Sequence, residues 1–347
     1  MAKKKELLTI EGHTLELSNL DKLMFPKAGF TKANVIDYYI RISKYLLPHL
    51  YKRAITLKRF PNGVGGDYFY EKDKPRHTPD WVETFPIPRK KDKANIDYVM
   101  ISNLATLIWS ANLANLEMHT FLAKVPKIKR PTFVVFDLDP GPPADILSCA
   151  QVALWLREIL QSLELKCCVK VSGSKGIQVY VPLNTDTDYD ETSEFALAIA
   201  KKMEELQPSG VVSKMSKDLR PGKVFIDWSQ NADFKTTVCV YSLRASREIP
   251  YVSVPVKWQE LEGALTKSDL DSLYFQPEQA IKRAEKFGDL FEGALQLQQK
   301  IPRKYGAAFR DIERLSKTRE KKSSKRSRVA GLNSSRKATE RESKLAR

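Results

Sequence analysis

The chain has 347 residues, 42% of them hydrophobic, enough for a sizeable core and for either two domains or one large α/β domain with a tail. A net charge of +16 points to a polyanionic partner, nucleic acid ahead of an acidic membrane, and thirteen Lys/Arg against three Glu between Arg314 and Arg347 put much of that excess at the C-terminal end. No stretch approaches about 18 uninterrupted apolar residues, the basic start lacks an apolar signal segment, and the four cysteines show no CxxC spacing, so a membrane span, a disulfide framework and a zinc site are not expected and a reducing cytoplasm is.

TKANVIDYYIRISKYLLPHL (31–50) carries Val35, Tyr38, Tyr39, Ile42, Tyr45 and Leu46 near a 3.6-residue period and predicts a helix with Thr31 as its N-cap. AITLKRF (54–60) reads as a strand, and PNGVGGDYFYEK as a Gly-containing loop entering a second one. ISNLATLIWSANLANLEMH (101–119) reads as one largely buried helix, followed by an irregular connection. PTFVVFDLDPGPP predicts a strand, then ILSCAQVALWLREILQSLEL a helix, then CCVKVSGSKGIQVYVPL a strand, a glycine turn and a strand. A helix at about 191–206 and the strands FID and VCVYSLR complete a βαββαββ order. Antiparallel pairs with helices packed on a mixed sheet give an α+β fold. Beyond residue 300 the chain is rich in Ser, Lys and Arg and predicts a disordered tail.

The chemistry centres on carboxylates. In the strand PTFVVFDLDP, Phe133, Val135, Asp137 and Asp139 share one face and Val134, Phe136 and Leu138 the other. Two carboxylates side by side repel unless a cation sits between them. A third, Asp227, ends the FID strand, and from a neighbouring strand it would complete a site for two Mg²⁺ or Mn²⁺ ions suited to phosphoryl transfer. SGSKG (172–176) can present Ser172, Lys175 and main-chain N–H groups to a phosphate, although glycine-serine hairpins without a ligand are ordinary, and it does not match a P-loop. Upstream of Asp227, Lys214, Lys217, Arg220 and Lys223 make either a hydrated loop or a triphosphate-binding one; downstream, Gln230, Asn231, Lys235 and Arg244 can reach the same face. Lys58 and Arg59 near Tyr68, Phe69 and Tyr70 combine cations with rings that stack on bases, or else pack into the core. Lys22 and Lys32 flank a loop where a terminal phosphate would fit. His119 is open between a structural and a catalytic role.

Taken together, SNLDKLMFP, TLKRFPNGV, FDLDPG, SGSKG, LRPGKVFIDWSQN, KTT and YSLR, in this order over most of residues 10–300, resemble the polymerase domain of bacterial DNA ligase D, of the archaeo-eukaryotic primase superfamily. The resemblance implies a primase-polymerase fold with an RRM-like catalytic subdomain over 8–300 and a basic tail over 301–347. It implies that Asp137, Asp139 and Asp227 are the metal-binding catalytic carboxylates, for two divalent ions, Mn²⁺ or Mg²⁺. Ser172, Lys175, Arg220, Gln230, Arg244 and His119 would contact the incoming NTP or dNTP. Lys22 and Lys32 would hold a DNA 5′-phosphate, Phe69 and Tyr70 would stack against the template, and Lys58 would line the cleft. The family pattern SGxxGxH has Gln178 in place of its histidine; glutamine keeps an N–H donor for phosphate but carries no charge.

The implied activity is templated addition of nucleotides, with ribonucleotides preferred, at DNA gaps or break ends in non-homologous end joining. DNA is the implied partner, Ku and a separate ATP-dependent ligase further ones, and the nucleoid-associated cytoplasm the implied location. The sequence shows neither a KxDG adenylation motif nor a histidine-rich phosphoesterase segment, so a stand-alone polymerase is expected. The competing readings are a catalytically weak DNA-end-binding protein, a replicative or mobile-element primase, and, more distantly, a nuclease.

Overall fold

The structure is a computed structural model and describes residues 5–88 and 94–303; the predicted tail lies outside the described residues except for 301–303. The chain opens with a hairpin, β1 (Lys5–Ile10) and β2 (His13–Ser18), and a short pair, β3 (Leu23–Phe25) and β4 (Phe30–Thr31). Helix α1 (Lys32–Leu50) begins where expected. The Thr31 hydroxyl accepts from the Asn34 N–H, and the Asn34 side chain accepts from the Thr31 N–H. Then come β5 (Ala54–Arg59), β6 (Phe69–Glu71), β7 (Thr84–Ile87) and β8 (Ile96–Met100).

The helix predicted over 101–119 is corrected to a helix and a strand. Helix α2 (Leu104–Asn112) ends just before Ala114, whose φ is 61°, and the chain continues as β9 (Asn115–Phe121). An apolar run fits a buried helix or a buried strand equally well, and β9 is buried on both faces.

The second half holds β10 (Phe133–Pro140), α3 (Ile146–Ser162), β11 (Cys168–Val171), β12 (Ile177–Pro182), α4 (Tyr189–Leu206), β13 (Val211–Val212) and β14 (Val224–Asp227). Asp145 and Asp188 cap the two helices. Then follow β15 (Thr236–Val238), β16 (Leu243–Arg244), β17 (Tyr251–Val252), β18 (Val254–Pro255), α5 (Trp258–Lys267), α6 (Pro277–Phe287) and α7 (Gly293–Gln296). The predicted strand VCVYSLR is thus two short strands, broken at Tyr241, which has a φ of 63°.

One sheet has the order β13-β14-β10-β12-β11-β18. Its central strands β14-β10-β12-β11 are antiparallel throughout and, with α3 and α4, make the βαββαβ unit expected of an RRM-like subdomain. Helices α3 and α4 pack on the side of Val134, Phe136 and Leu138, all fully buried, and the pleat turns Asp137 and Asp139 to the open side. The other sheet runs β15-β9-β5-β8-β7, with β6 also on β5. Helix α1 is tied to it by the Tyr39 hydroxyl, which donates to the Leu116 carbonyl at 2.7 Å. The two sheets meet where the hydroxyls of Tyr180 and Thr237 hydrogen-bond at 2.9 Å. Buried Arg53 donates to the carbonyls of Phe121 and Leu122 and to Thr132, which pins the connection from β9 to β10. Among the described residues no helix is long and apolar enough to cross a membrane.

Candidate active site

Four polar side chains stand in line across the open face of the first sheet. The register pairs Lys170 with Gln178, Gln178 with Asp137, and Asp137 with Asp227. Asp139 lies one step further along the same face of β10. Strand β14 stops at Asp227, and Asn231 continues its edge: the side chain accepts from the Val135 N–H and donates to the Val135 carbonyl, both at 2.7 Å. Asp227 is left at the open end. Its Oδ1 accepts from the Ser229 N–H (3.0 Å) and hydroxyl (2.6 Å), and its Oδ2 from the Gln230 amide (3.1 Å).

Burial and the charge of Asp139 push Asp137 up to about 7; Asp227 adds to this and a hydrogen bond from Gln178 opposes it. Burial also raises Asp139, with Asp227 adding to it and Lys175, Arg220 and Arg244 opposing. An all-oxygen donor set carrying unrelieved negative charge suits a hard divalent cation. Among the described residues no three His, Cys, Asp or Glu side chains converge closely enough to hold an ion as they stand, and Asp227 is turned onto Ser229 and Gln230. The residues therefore fit an ion at Asp137 and Asp139, with Asp227 in register with Asp137.

Asp137 and Asp139 open on a cleft of about 550 Å³ between the two sheets. Of the residues singled out in the sequence, Tyr70, His119, Asp137, Asp139, Ser172, Lys175, Gln178, Gln230, Lys235 and Arg244 line it; Asp227, Arg220, Lys58, Phe69, Lys22 and Lys32 do not. In the 172–176 turn the Ser172 hydroxyl accepts from the N–H groups of Ser174 and Gly176 at 3.2 Å each, so it shapes the turn that holds Lys175. A Cβ on Gly176 would stand 2.3 Å from the Leu138 carbonyl oxygen. One on Gly173, at φ 71°, would stand 2.7 Å from Cγ of Arg244. The glycines let the turn close onto β10 and onto Arg244. Arg220 sits at the margin. Its guanidinium stacks on Phe225 at 3.8 Å, donates to the Met215 carbonyl, and reaches Asp139 through its charge.

The opposite wall comes from the second sheet, where Thr56 lies across from His119 and Lys58 across from Glu117 and Tyr70. Glu117 was not foreseen. It is fully buried, and its Oε1 accepts from Lys58 Nζ (3.2 Å) and the Ala245 N–H (3.0 Å); its Oε2 lies 2.9 Å from His119 Nε2 and 3.6 Å from an Arg244 nitrogen. Burial opposes its charge, yet the His119 bond and the charges of Arg244, His119 and Lys58 hold it well below the usual carboxylate range. Lys58 is therefore drawn inward, with its ammonium 4.4 Å from the Tyr68 ring.

Phe69 and Tyr70 are both exposed, at 43% and 51%, but the pleat separates them. Tyr70 stands edge-on to His119, while Phe69 pairs with Arg59 across the strand and lies under its guanidinium at 5.3 Å. Lys22, Lys32 and Arg59 make a separate cationic group. Burial, Lys22 and Arg59 lower Lys32 to about 8. Lys170, also unforeseen, is fully buried, donates to Ser253 at 2.7 Å and is lowered by burial to about 7. The signal for it was a lysine inside a buried strand, CCVKV; for Glu117 it was Glu-x-His, which puts both side chains on one face once the segment is a strand.

The profile of the LigD primase-polymerase domain matches residues 31–291, three quarters of the chain. The chain belongs to that family. The multifunctional non-homologous end joining protein LigD of Mycolicibacterium smegmatis is 36% identical over 283 residues, covering 80% of this chain and 35% of that protein. The bifunctional LigD of Bacillus subtilis is 35% identical over 253 residues, 73% of this chain and 40% of that protein. The chain thus spans a little over a third of the length of these relatives. The polymerase domain of Mycobacterium tuberculosis ligase D, solved in complex with DNA, superposes with a TM-score of 0.75 at 34% identity, over 81% of this chain and 98% of that one. The α+β polymerase fold read from the sequence is therefore the fold of the family.

Proposed function

We propose that the chain is a template-directed nucleotidyltransferase that adds nucleotides, ribonucleotides foremost, at DNA gaps and double-strand-break ends in non-homologous end joining. One observation carries this reading: Asp137, in register with Asp227, and Asp139 face a cleft rimmed by Lys175 and Arg244. The DNA-bound solved relative of the same fold supports it.

In the reaction a primer 3′-hydroxyl attacks the α-phosphate of the nucleotide and pyrophosphate leaves. Lys175, the exposed residue of the turn, and Arg244 would neutralise the triphosphate, with Arg220 adding charge from the margin and Gln230 and Ser172 fixing its orientation. Two divalent ions, Mn²⁺ or Mg²⁺, held by Asp137, Asp139 and Asp227 would supply charge for the attacking and leaving oxygens. Tyr70 would stack against a template base at the mouth of the cleft, and Phe69, on the other side of its strand, against the template beyond the break. Lys58 would act from beneath Tyr70 rather than from the cleft surface.

Lys22 and Lys32, with Arg59 close by, would take the 5′-phosphate at the far side of a gap, where their mutual repulsion is relieved by an anion. Residues 8–300 would form the polymerase domain and the basic tail a sequence-independent tether to DNA. Ku and a separate ATP-dependent ligase would be its partners, in the nucleoid region of the cytoplasm.

A gap-filling assay tests the DNA side of this reading. Wild type should fill a gap bearing a 5′-phosphate faster than one without it, and Lys22→Ala/Lys32→Ala should abolish the difference while leaving extension of an open primer-template unchanged. If wild type makes no distinction between the two gaps, those lysines do not read a phosphate.

A further inference from the structure

Glu117 is the point on which three basic side chains at the wall of the cleft converge. Its two oxygens are fully shared out, one to Lys58 and the Ala245 N–H, the other to His119 and Arg244. An ionised carboxylate can only accept hydrogen bonds, so the His119 nitrogen that meets it, Nε2, must carry the proton. His119 Nδ1 has no hydrogen-bond partner among the described residues, and the ring lines the cleft. Burial, joined by the charges of Arg244 and Lys58, disfavours a second proton on the ring by more than Glu117 favours it. A neutral imidazole offers Nδ1 as a lone pair, and a phosphate, which presents acceptors, has nothing to donate to it. A sugar hydroxyl does. Arg244, meanwhile, is held between Glu117 and the 172–176 turn, where Gly173 closes on its side chain.

We propose that Glu117 is a positioning residue of this site: it fixes His119 as the Nε2–H tautomer, so that Nδ1 accepts a hydrogen bond from a sugar hydroxyl of the nucleotide, and it holds Arg244 towards the phosphates. The inference rests on the nucleotide-binding reading of the cleft and assigns His119 to the sugar of the nucleotide. Glu117→Gln keeps one acceptor oxygen and turns an N–H donor towards either Lys58 or His119 and Arg244, so the cluster cannot be reproduced.

The test is the nitrogen spectrum of the full chain labelled with ¹⁵N-histidine, with the His119 signals assigned by His119→Gln. Couplings from the ring protons should show Nε2 protonated and Nδ1 bare at neutral pH. Uridine triphosphate with Mg²⁺ should move the Nδ1 resonance and leave Nε2 nearly still. A ring protonated at Nδ1, or an Nδ1 signal unmoved by a nucleotide that does bind, overturns the proposal. Glu117→Gln should raise the nucleotide KM about tenfold and lose the single tautomer; a lower melting temperature with unchanged KM would make the residue merely structural. If that variant does not fold, the wild-type spectrum still decides. A wild type that binds no nucleotide at all refutes the polymerase reading and with it the hydroxyl contact, whereas the tautomer is judged by the spectrum alone.

Discussion

Gln178 occupies the centre of the polar row, next to Asp137 on one side and Lys170 on the other, and it stands where the family pattern has histidine. Its amide hydrogen-bonds Asp137 and so favours the ionised carboxylate that a metal requires. It lines the cleft as a neutral donor, which under the proposed function would make it a weaker phosphate ligand than an imidazolium. Gln178→His should lower the nucleotide KM several-fold in steady-state extension assays; an unchanged KM would mean that this position does not touch phosphate here. The carboxylates around it were legible in the sequence because alternation along a strand fixes which residues share a face. Lys170 and Glu117 were not, since a single charge inside an apolar run has no period of its own and its meaning comes only from the partners the fold supplies.

The turn between β11 and β12 shows how an element sets the site. Gly176 lies against the Leu138 carbonyl with no room for a methyl group, so Gly176→Ala should destabilise the fold by about 1–3 kcal/mol and displace Lys175, lowering activity as well. Gly263, in the interior of α5 with open space around it, is the contrasting case. Gly263→Ala should stabilise by about 0.5–1 kcal/mol. Urea unfolding of both variants checks the pair, and equal midpoints would contradict the packing argument. The β11–β12 hairpin and the strand β10 were readable because turn residues and alternation agree. The segment 101–119 was not, because its break rests on Ala114 adopting a left-handed conformation that nothing in the sequence around it demands. The same holds for Tyr241, whose turned backbone separates β15, in the second sheet, from β16, which pairs with β17.

At the scale of the whole molecule, a partly buried carboxylate helps fasten α1 to the C-terminal region. Asp289 meets His49 Nε2 at 2.7 Å and accepts from the Tyr241 hydroxyl at 2.8 Å and the Phe291 N–H at 2.9 Å. Burial opposes its charge, but these bonds and the His49 charge hold its pKa below the ordinary value. A depressed carboxylate contributes stability that is complete above the unfolded value of about 3.9 and is lost as pH falls through the folded one. Melting temperature should therefore drop as pH falls below about 4, and Asp289→Asn should be less stable than wild type near pH 7 and lose less on acidification. The basic tail adds a second effect at this scale. Removing residues 314–347 should weaken DNA binding and flatten its dependence on salt, because fewer counterions are released; an unaltered slope would show that the tail does not contact DNA.

The central claim is that the carboxylate row performs templated nucleotide addition. Primer extension on a gapped duplex with a 5′-phosphate, in Mn²⁺ and with NTPs beside dNTPs, measures it directly. Wild type should add the templated nucleotide, NTPs ahead of dNTPs, and Asp137→Ala/Asp139→Ala should add none while still binding the duplex end. Failure of wild type to extend with any nucleotide or metal, with end binding intact, would contradict the account and leave a protein that holds DNA ends without copying them.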